Sequence, residues 1–156
     1  FVDALVIGGC VRRPIRFVMY HKIFHIPVLN FIFRTAKAIP IAGAKENPAL
    51  MEQAFEEVSR ALRAGDLVCI FPEGRLTDTG EMNEFRPGIL RTLERDPVPV
   101  IPLALRGLWG SLFSRGRRFR FPSSRIGLVA GAPQPAGPVS LAALQQQVRA
   151  LRGDWR

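Results

Sequence analysis

Residues 47–72, "NPALMEQAFEEVSRALRAGDLVCIFP", constrain the fold of this chain more than any other stretch. Asn47 has the side chain of a helix N-cap, and Pro48 stands at the first helical position, where its missing N–H costs nothing. Leu50, Ala54, Val58, Ala61 and Leu62 then recur at helical spacing, and Gly65 stops the run. "LVCIF" follows at once as an unbroken apolar segment, which reads as a buried strand, and Pro72 ends it because proline has no N–H for the ladder. A helix that feeds straight into a buried strand is one step of an alternating α/β layout.

The same alternation runs through the rest of the chain. "RFVMY" (residues 16–20) is rich in strand formers, and "AIPIA" (residues 38–42) is a short strand or bridge. Between them, "HKIFHIPVLNFIFRTA" is long enough for a helix, with Pro27 either bending it or marking its start. "PGILRTLER" predicts a short helix, "VPVIPLAL" a buried strand and "RIGLVAG" a last strand. Residues 131–139 form a proline-rich connector, and Ser140 caps a closing helix over residues 140–152. The expected architecture is a single α/β domain over residues 1–156, with a largely parallel central sheet flanked by helices. Ligands of such sheets sit just past the carboxyl ends of strands.

Composition narrows the partners. The net charge is +9, which favours polyanions: nucleic acid, an anionic membrane face or phosphorylated substrates. Cys10 and Cys69 are the only cysteines, and they read as free, reduced thiols with no disulfide framework or zinc spacing. No secretory signal is visible, and the longest apolar stretch, "IFHIPVLNFIF", is far shorter than the ~20 residues of a spanning helix. The chain starts mid-pattern at Phe1 without an initiator methionine, so an N-terminal truncation is expected.

The strand "LVCIF" runs into "PEGR". Gly74 permits unusual backbone angles or close approach of a ligand, and Arg75 can grip a phosphate with two prongs. Glu73 can accept hydrogen bonds from Arg75, from backbone or from a substrate hydroxyl. Read as composition alone, the same residues make a capped loop with a surface ion pair.

The order of the surrounding blocks adds to this reading. "FPEGR" (residues 71–75) resembles the FPEG block of the lysophospholipid and glycerolipid acyltransferase family. "EFRPGIL" (residues 84–90) resembles its Phe-Lys/Arg-x-Gly segment, which draws in Arg86 and Gly88. "VPVIPLAL" resembles its late strand with a central proline, here Pro102, and "AKAIPIAG" falls at its second block. "FVDALVI" resembles the tail of its His-x-x-x-x-Asp block, with Asp3 as the aspartate. The resemblance covers roughly residues 1–110. The early arginine directly after FPEG makes the chain most similar to the bacterial 2-acylglycerophosphoethanolamine acyltransferase type.

What the resemblance implies is acyl transfer from acyl-CoA or acyl-carrier protein to the free hydroxyl of a lysophospholipid, with no resident cofactor and no metal. The family's histidine acts as general base, a task suited to a group that titrates near neutral pH, and the aspartate orients it. That histidine falls five residues ahead of Asp3, before Phe1, so this chain alone is expected to be inactive or nearly so. Asp3 and Glu73 are the catalytic candidates. Phe71, Pro72, Gly74, Arg75, Lys45, Arg86 and Gly88 are the substrate-binding ones. His21 and His25, four apart and so on one helix face, are read as structural. The family's second block often ends Asp-Arg; here Ala42-Gly43 stand in that place, with Lys45 as a point charge nearby. A phosphodiester acceptor such as lysophosphatidylethanolamine is therefore expected in preference to lysophosphatidic acid. The implied location is the cytoplasmic face of the inner or plasma membrane, peripheral or tethered by segments ahead of Phe1. Fusion to a transporter or another lipid enzyme is compatible with it.

"GLWGSLFSRGRRFRF" mixes Trp109, Phe113, Phe119 and Phe121 with Arg115, Arg117, Arg118 and Arg120. Rings with arginines suit a membrane interface or stacked single-stranded nucleic acid. "RRFRF" alternates as a strand with its phenylalanines inward, which leaves Trp109 and Phe113 as the lipid-contact candidates. The competing function is a basic lipid- or nucleic-acid-binding domain without catalysis. Against it, the arginines are spread from Arg12 to Arg156, and no nucleic-acid partner is expected.

Overall fold

The structure, a computed structural model, describes residues 2–75, 81–107 and 126–154. The elements run in the order α1 (Val2–Cys10), β1 (Ile15–Tyr20), a 3-10 turn (His21–His25), α2 (Pro27–Thr35), β2 (Ile39–Ile41), α3 (Pro48–Arg63), β3 (Leu67–Ile70), α4 (Gly88–Arg95), β4 (Leu103–Arg106), β5 (Gly127–Ala130) and α5 (Leu141–Arg152).

Strand β1 is the spine. It pairs in parallel with β2 (Val18 opposite Ile39) and with β3 (Phe17 opposite Cys69), giving the order β2-β1-β3. Successive side chains of β1 point to opposite faces. Phe17 and Met19 pack with Ala4 and Ile7 of α1 and Phe33 of α2. Val18 packs with Ile39 and with Ala54 and Val58 of α3. The parallel sheet is thus buried on both sides, as its apolar composition requires.

Among the described residues the parallel sheet has three strands. β4 and β5 form a separate antiparallel pair, Leu103 opposite Ala130, covered by α5 through the buried Leu144. The expected strand at residues 98–105 is strand only from Leu103; ahead of it, Val100 makes a lone bridge with Gln134. Pro97, Pro99 and Pro102 remove three backbone donors from that run, so a continuous ladder cannot form. The bridge ties the proline-rich connector down through Gln134 N–H to Val100 O (2.7 Å) and Val100 N–H to Gln134 O (2.9 Å).

Local signals mostly hold. Asn47 Oδ1 accepts from Leu50 N–H at 3.0 Å, and Gly65 leaves α3 at φ +84°. Ser140 caps α5 by accepting from Ala143 N–H. Pro27 marks the start of α2 and does not bend a longer helix. Ile26, directly before it, is extended at φ −85°, ψ 116°, as a pre-proline residue prefers. His21 and His25 consequently lie on a 3-10 turn instead of one α-helical face, with ring centroids 6.3 Å apart. No helix among the described residues is long and apolar enough to cross a membrane.

Candidate active site

Because β1, β2 and β3 are parallel, they end at one edge, at Tyr20, Ile41 and Ile70. Helix α1 precedes β1 and returns to it through a short connection, so its first turn, with Asp3, stands at that same carboxyl edge. Residues 71–75 leave the edge from β3.

The turn that follows β3 is tight. Phe71 O accepts from Gly74 N–H at 3.1 Å, with Pro72 and Glu73 at the two central positions, where proline presets the first backbone angle. Gly74 sits at φ +63°, in the left-handed region where side chains other than hydrogen are strained. Arg86 is drawn onto this turn. Its N–H donates to Pro72 O at 2.8 Å, and its side chain crosses Gly74 so closely that a Cβ there would lie 2.9 Å from both Arg86 Cδ and Nε. The glycine is needed for backbone angle and for space together.

Asn83 organises the acidic and basic arms of the turn. Its backbone N–H donates to Glu73 Oε2 at 2.7 Å, and its Oδ1 accepts from Arg75 Nε at 3.0 Å. With Oδ1 committed to Arg75, the buried amide nitrogen Nδ2 is left near the Glu73 carboxyl, whose pKa it helps to lower, without a well-formed hydrogen bond. Burial raises the pKa of Glu73, and the Asp3 carboxylate adds to the rise; the Asn83 hydrogen bonds and the Arg152 guanidinium oppose it. Asp3, in the first turn of α1, and Glu73, in the turn after β3, stand at the same edge of the sheet.

Helix α5 holds this arrangement from behind. Gln145 Oε1 accepts from Phe85 N–H at 3.5 Å, and Gln145 Nε2 donates to Asn83 O at 3.3 Å. Arg152, at the end of α5, pairs with Glu81 at 3.1 Å. Asn83, Gln145 and Arg152 were not legible as site residues. Gln145 lies some sixty residues along the chain from its partners, and no local spacing announces such a contact.

The other sequence candidates are placed as follows. Phe71 stacks on Phe17 with centroids 6.3 Å apart, so it anchors the turn to the core. Arg75 and Arg86 are both exposed residues. Gly88 opens α4, where a Cβ would make only ordinary contact with the Phe55 ring at 3.8 Å. Lys45 is exposed in the turn before α3, on the β2 side of the edge, with β1 between it and the Glu73 turn. On that side a second polar cluster forms around Glu46. Tyr20 Oη donates to both carboxylate oxygens at 2.8 Å, His21 Nε2 lies at 3.1 Å and Lys22 Nζ at 3.2 Å. These contacts, the Tyr20 hydrogen bond foremost, lower the Glu46 pKa to about 2. No hydrogen bond, ion pair or ring contact links His21 or His25 to Asp3 or Glu73 among the described residues. Leu76, the basic aromatic residues from Trp109 to Phe121 and the expected "RRFRF" strand lie outside the described residues. The two cysteines are free; Cys10 is exposed, and burial pushes the Cys69 thiol up to about 12.

Comparison with known proteins bears on what this edge does. A family model described as Acyltransferase matches residues 1–106. A 1-acyl-sn-glycerol-3-phosphate acyltransferase from Pseudomonas aeruginosa is 27% identical over 142 residues, covering 88% of this chain and 53% of the relative. A probable 1-acyl-sn-glycerol-3-phosphate acyltransferase from Mycoplasma pneumoniae is 30% identical over 89 residues, 56% of this chain and 34% of the relative. The crystal structure of the 1-acyl-sn-glycerophosphate (LPA) acyltransferase PlsC from Thermotoga maritima shares the fold, with a TM-score of 0.66 at 19% identity over 96% of this chain and 60% of that one. The chain therefore spans about a third to three fifths of the length of the proteins it matches.

Proposed function

The chain belongs to the glycerolipid acyltransferase family, and from that premise we propose that it transfers a fatty acyl group from acyl-CoA or acyl-carrier protein to the free hydroxyl of a lysophospholipid. The observation that carries the reading is the meeting of Asp3 and Glu73 at one edge with Arg75 and Arg86 beside them. The general base in this proposal is a histidine five positions ahead of Asp3, with Asp3 holding its tautomer and stabilising the imidazolium. The imidazole takes the acceptor's hydroxyl proton as the oxygen attacks the thioester carbonyl. The tetrahedral adduct then collapses, the carbon–sulfur bond breaks, and the departing thiolate takes the proton back.

Arg75 and Arg86 bind the acceptor's phosphate. Both are exposed on the turn, and a guanidinium matches the geometry of phosphate oxygens. With only Lys45, on the far side of β1, in place of a second-block arginine, the acceptor proposed is a phosphodiester such as lysophosphatidylethanolamine. The work is done peripherally at the cytoplasmic face of a membrane.

The test uses the protein expressed with the residues encoded ahead of Phe1. Acyl transfer to lysophosphatidylethanolamine and to lysophosphatidic acid is measured side by side, with the upstream histidine intact and changed to alanine. Loss of transfer in the alanine variant is expected, with the phosphodiester acceptor preferred. Equal activity of the two forms would remove the base assignment, and a clear preference for lysophosphatidic acid would overturn the acceptor.

A further inference from the structure

Helix α2 buries one face and leaves another bare. Phe33 is 2% exposed and packs with Phe17 and Met19, and Leu29 and Ile32 lie against the same cluster. Val28 and Phe31, three apart and so on one face of the helix, are 71% and 75% exposed, and Ile26 just before the helix is 46% exposed. Two large apolar side chains with this much exposure on adjacent turns, next to a third, are not scattered surface residues.

The stretch of chain that carries them bears charge of one sign. No aspartate or glutamate occurs from residue 4 to residue 45, while Arg12, Arg13, Arg16, Lys22, Arg34, Lys37 and Lys45 fall in that interval. Arg34, three residues after Phe31, is held along α2 by its Nε hydrogen bond to Asn30 Oδ1 at 2.8 Å. Lys22 and Lys45 both flank Glu46 at the edge where the turn into α2 begins, Lys22 through its ion pair and Lys45 as its neighbour in sequence. An apolar face with Arg34 on the same helix and Lys22 in the turn ahead of it matches the boundary between acyl chains and anionic headgroups. Helix α2 starts at the carboxyl end of β1 and runs back toward the start of β2, so its bare first turns stand at the same edge as the Phe71–Arg75 turn.

We propose that Ile26, Val28 and Phe31 insert into the surface of an anionic lipid bilayer, with Arg34 at the headgroups, and that this docking turns the carboxyl edge of the sheet toward the lipid. This names the membrane-facing surface of the reading given above and rests on it only for the meaning of that edge. The contact itself needs neither acyl donor nor acceptor.

The 156-residue chain is floated with vesicles of phosphatidylcholine alone and with one third phosphatidylglycerol, at low salt and at 0.5 M salt, with no acyl substrate present. Binding is expected to the anionic vesicles and to weaken with salt. The double variant Val28→Ser, Phe31→Ser should bind at least tenfold more weakly, with unchanged circular dichroism and melting because both side chains lie outside the core. Arg34→Gln should bind the anionic vesicles less well and leave any residual binding to phosphatidylcholine as it was. Equal flotation of the double variant overturns the proposal, as does absence of vesicle binding by the parent chain. A double variant that turns a sedimenting dimer into a monomer with no change in vesicle binding overturns it too, because the face would then be covered by a second copy. None of these readings depends on catalysis, so failure of the acyltransferase assignment and failure of the docking surface are separately visible.

Discussion

Changing Gly74 to alanine separates two demands made on one residue. The backbone there is at φ +63°, and a left-handed conformation costs an ordinary residue roughly 1–2 kcal/mol. Alanine also restricts the unfolded chain, which returns about 0.4–1 kcal/mol. The added Cβ would lie 2.9 Å from Arg86 Cδ and Nε, but Arg86 is exposed and can swing into solvent at little cost. The net loss of stability is therefore about 1 kcal/mol, or ~2–4 °C in Tm for a chain of this size. The functional loss should be larger. An Arg86 pushed off the turn no longer meets the acceptor's phosphate, and hydrogen bonds to charged groups contribute about 1.5–3 kcal/mol, hence roughly a tenfold to hundredfold fall in kcat/KM, mostly through KM. The assay is acyl transfer by the protein carrying its upstream histidine, beside urea unfolding of the same variants. Arg86→Ala should show the activity loss without the stability loss. The double variant should lose no more activity than either alone, because both remove one interaction. Full activity in Gly74→Ala, or additive losses in the double variant, would refute the placement of Arg86 over Gly74 as a binding element.

Two further outcomes follow from the titrating groups. At pH 8 an alkylating reagent should label Cys10 and leave Cys69 unmodified until the chain unfolds, since the buried thiol is pushed up to about 12; native-state labelling of Cys69, read by mass spectrometry, would contradict the packing of β3. The Glu46 carboxyl is lowered from 4.5 to about 2, so the stability its ionised form provides is present above pH ~4.5 and is lost as pH falls toward ~2. Glu46→Gln should flatten that part of the acid unfolding profile followed by circular dichroism, and an unchanged acid limb would remove the cluster around Tyr20, His21 and Lys22 as its source.

What could be read from the sequence was local. Asn47, Pro48 and Gly65 bound α3 because capping and left-handed termination act within one turn of the chain, and "LVCIF" read as a strand because its run is unbroken, although β3 ends the described sheet and is half-buried instead of fully buried. The FPEG corner was visible for the same reason: Pro72, Glu73, Gly74 and Arg75 are consecutive. Proline set limits that the apolar runs alone conceal. Pro27 cut the apolar run in two, and the three prolines of residues 97–102 shortened β4, each by removing a donor or restricting its predecessor. The parts that could not be read are contacts between distant segments. Nothing near Asn83 says that Gln145 will hold its carbonyl, and nothing near Glu73 says that Arg152 will bear on its charge.

The family model ends at residue 106, yet the segment that positions Glu73 and Arg75 is braced by a helix that begins at residue 141. Trimming the chain to its recognisable blocks would keep every motif letter and discard the brace. The geometry of the turn is thus open to change through substitutions on the inner side of a terminal helix, at positions where an alignment of motifs would find nothing to compare.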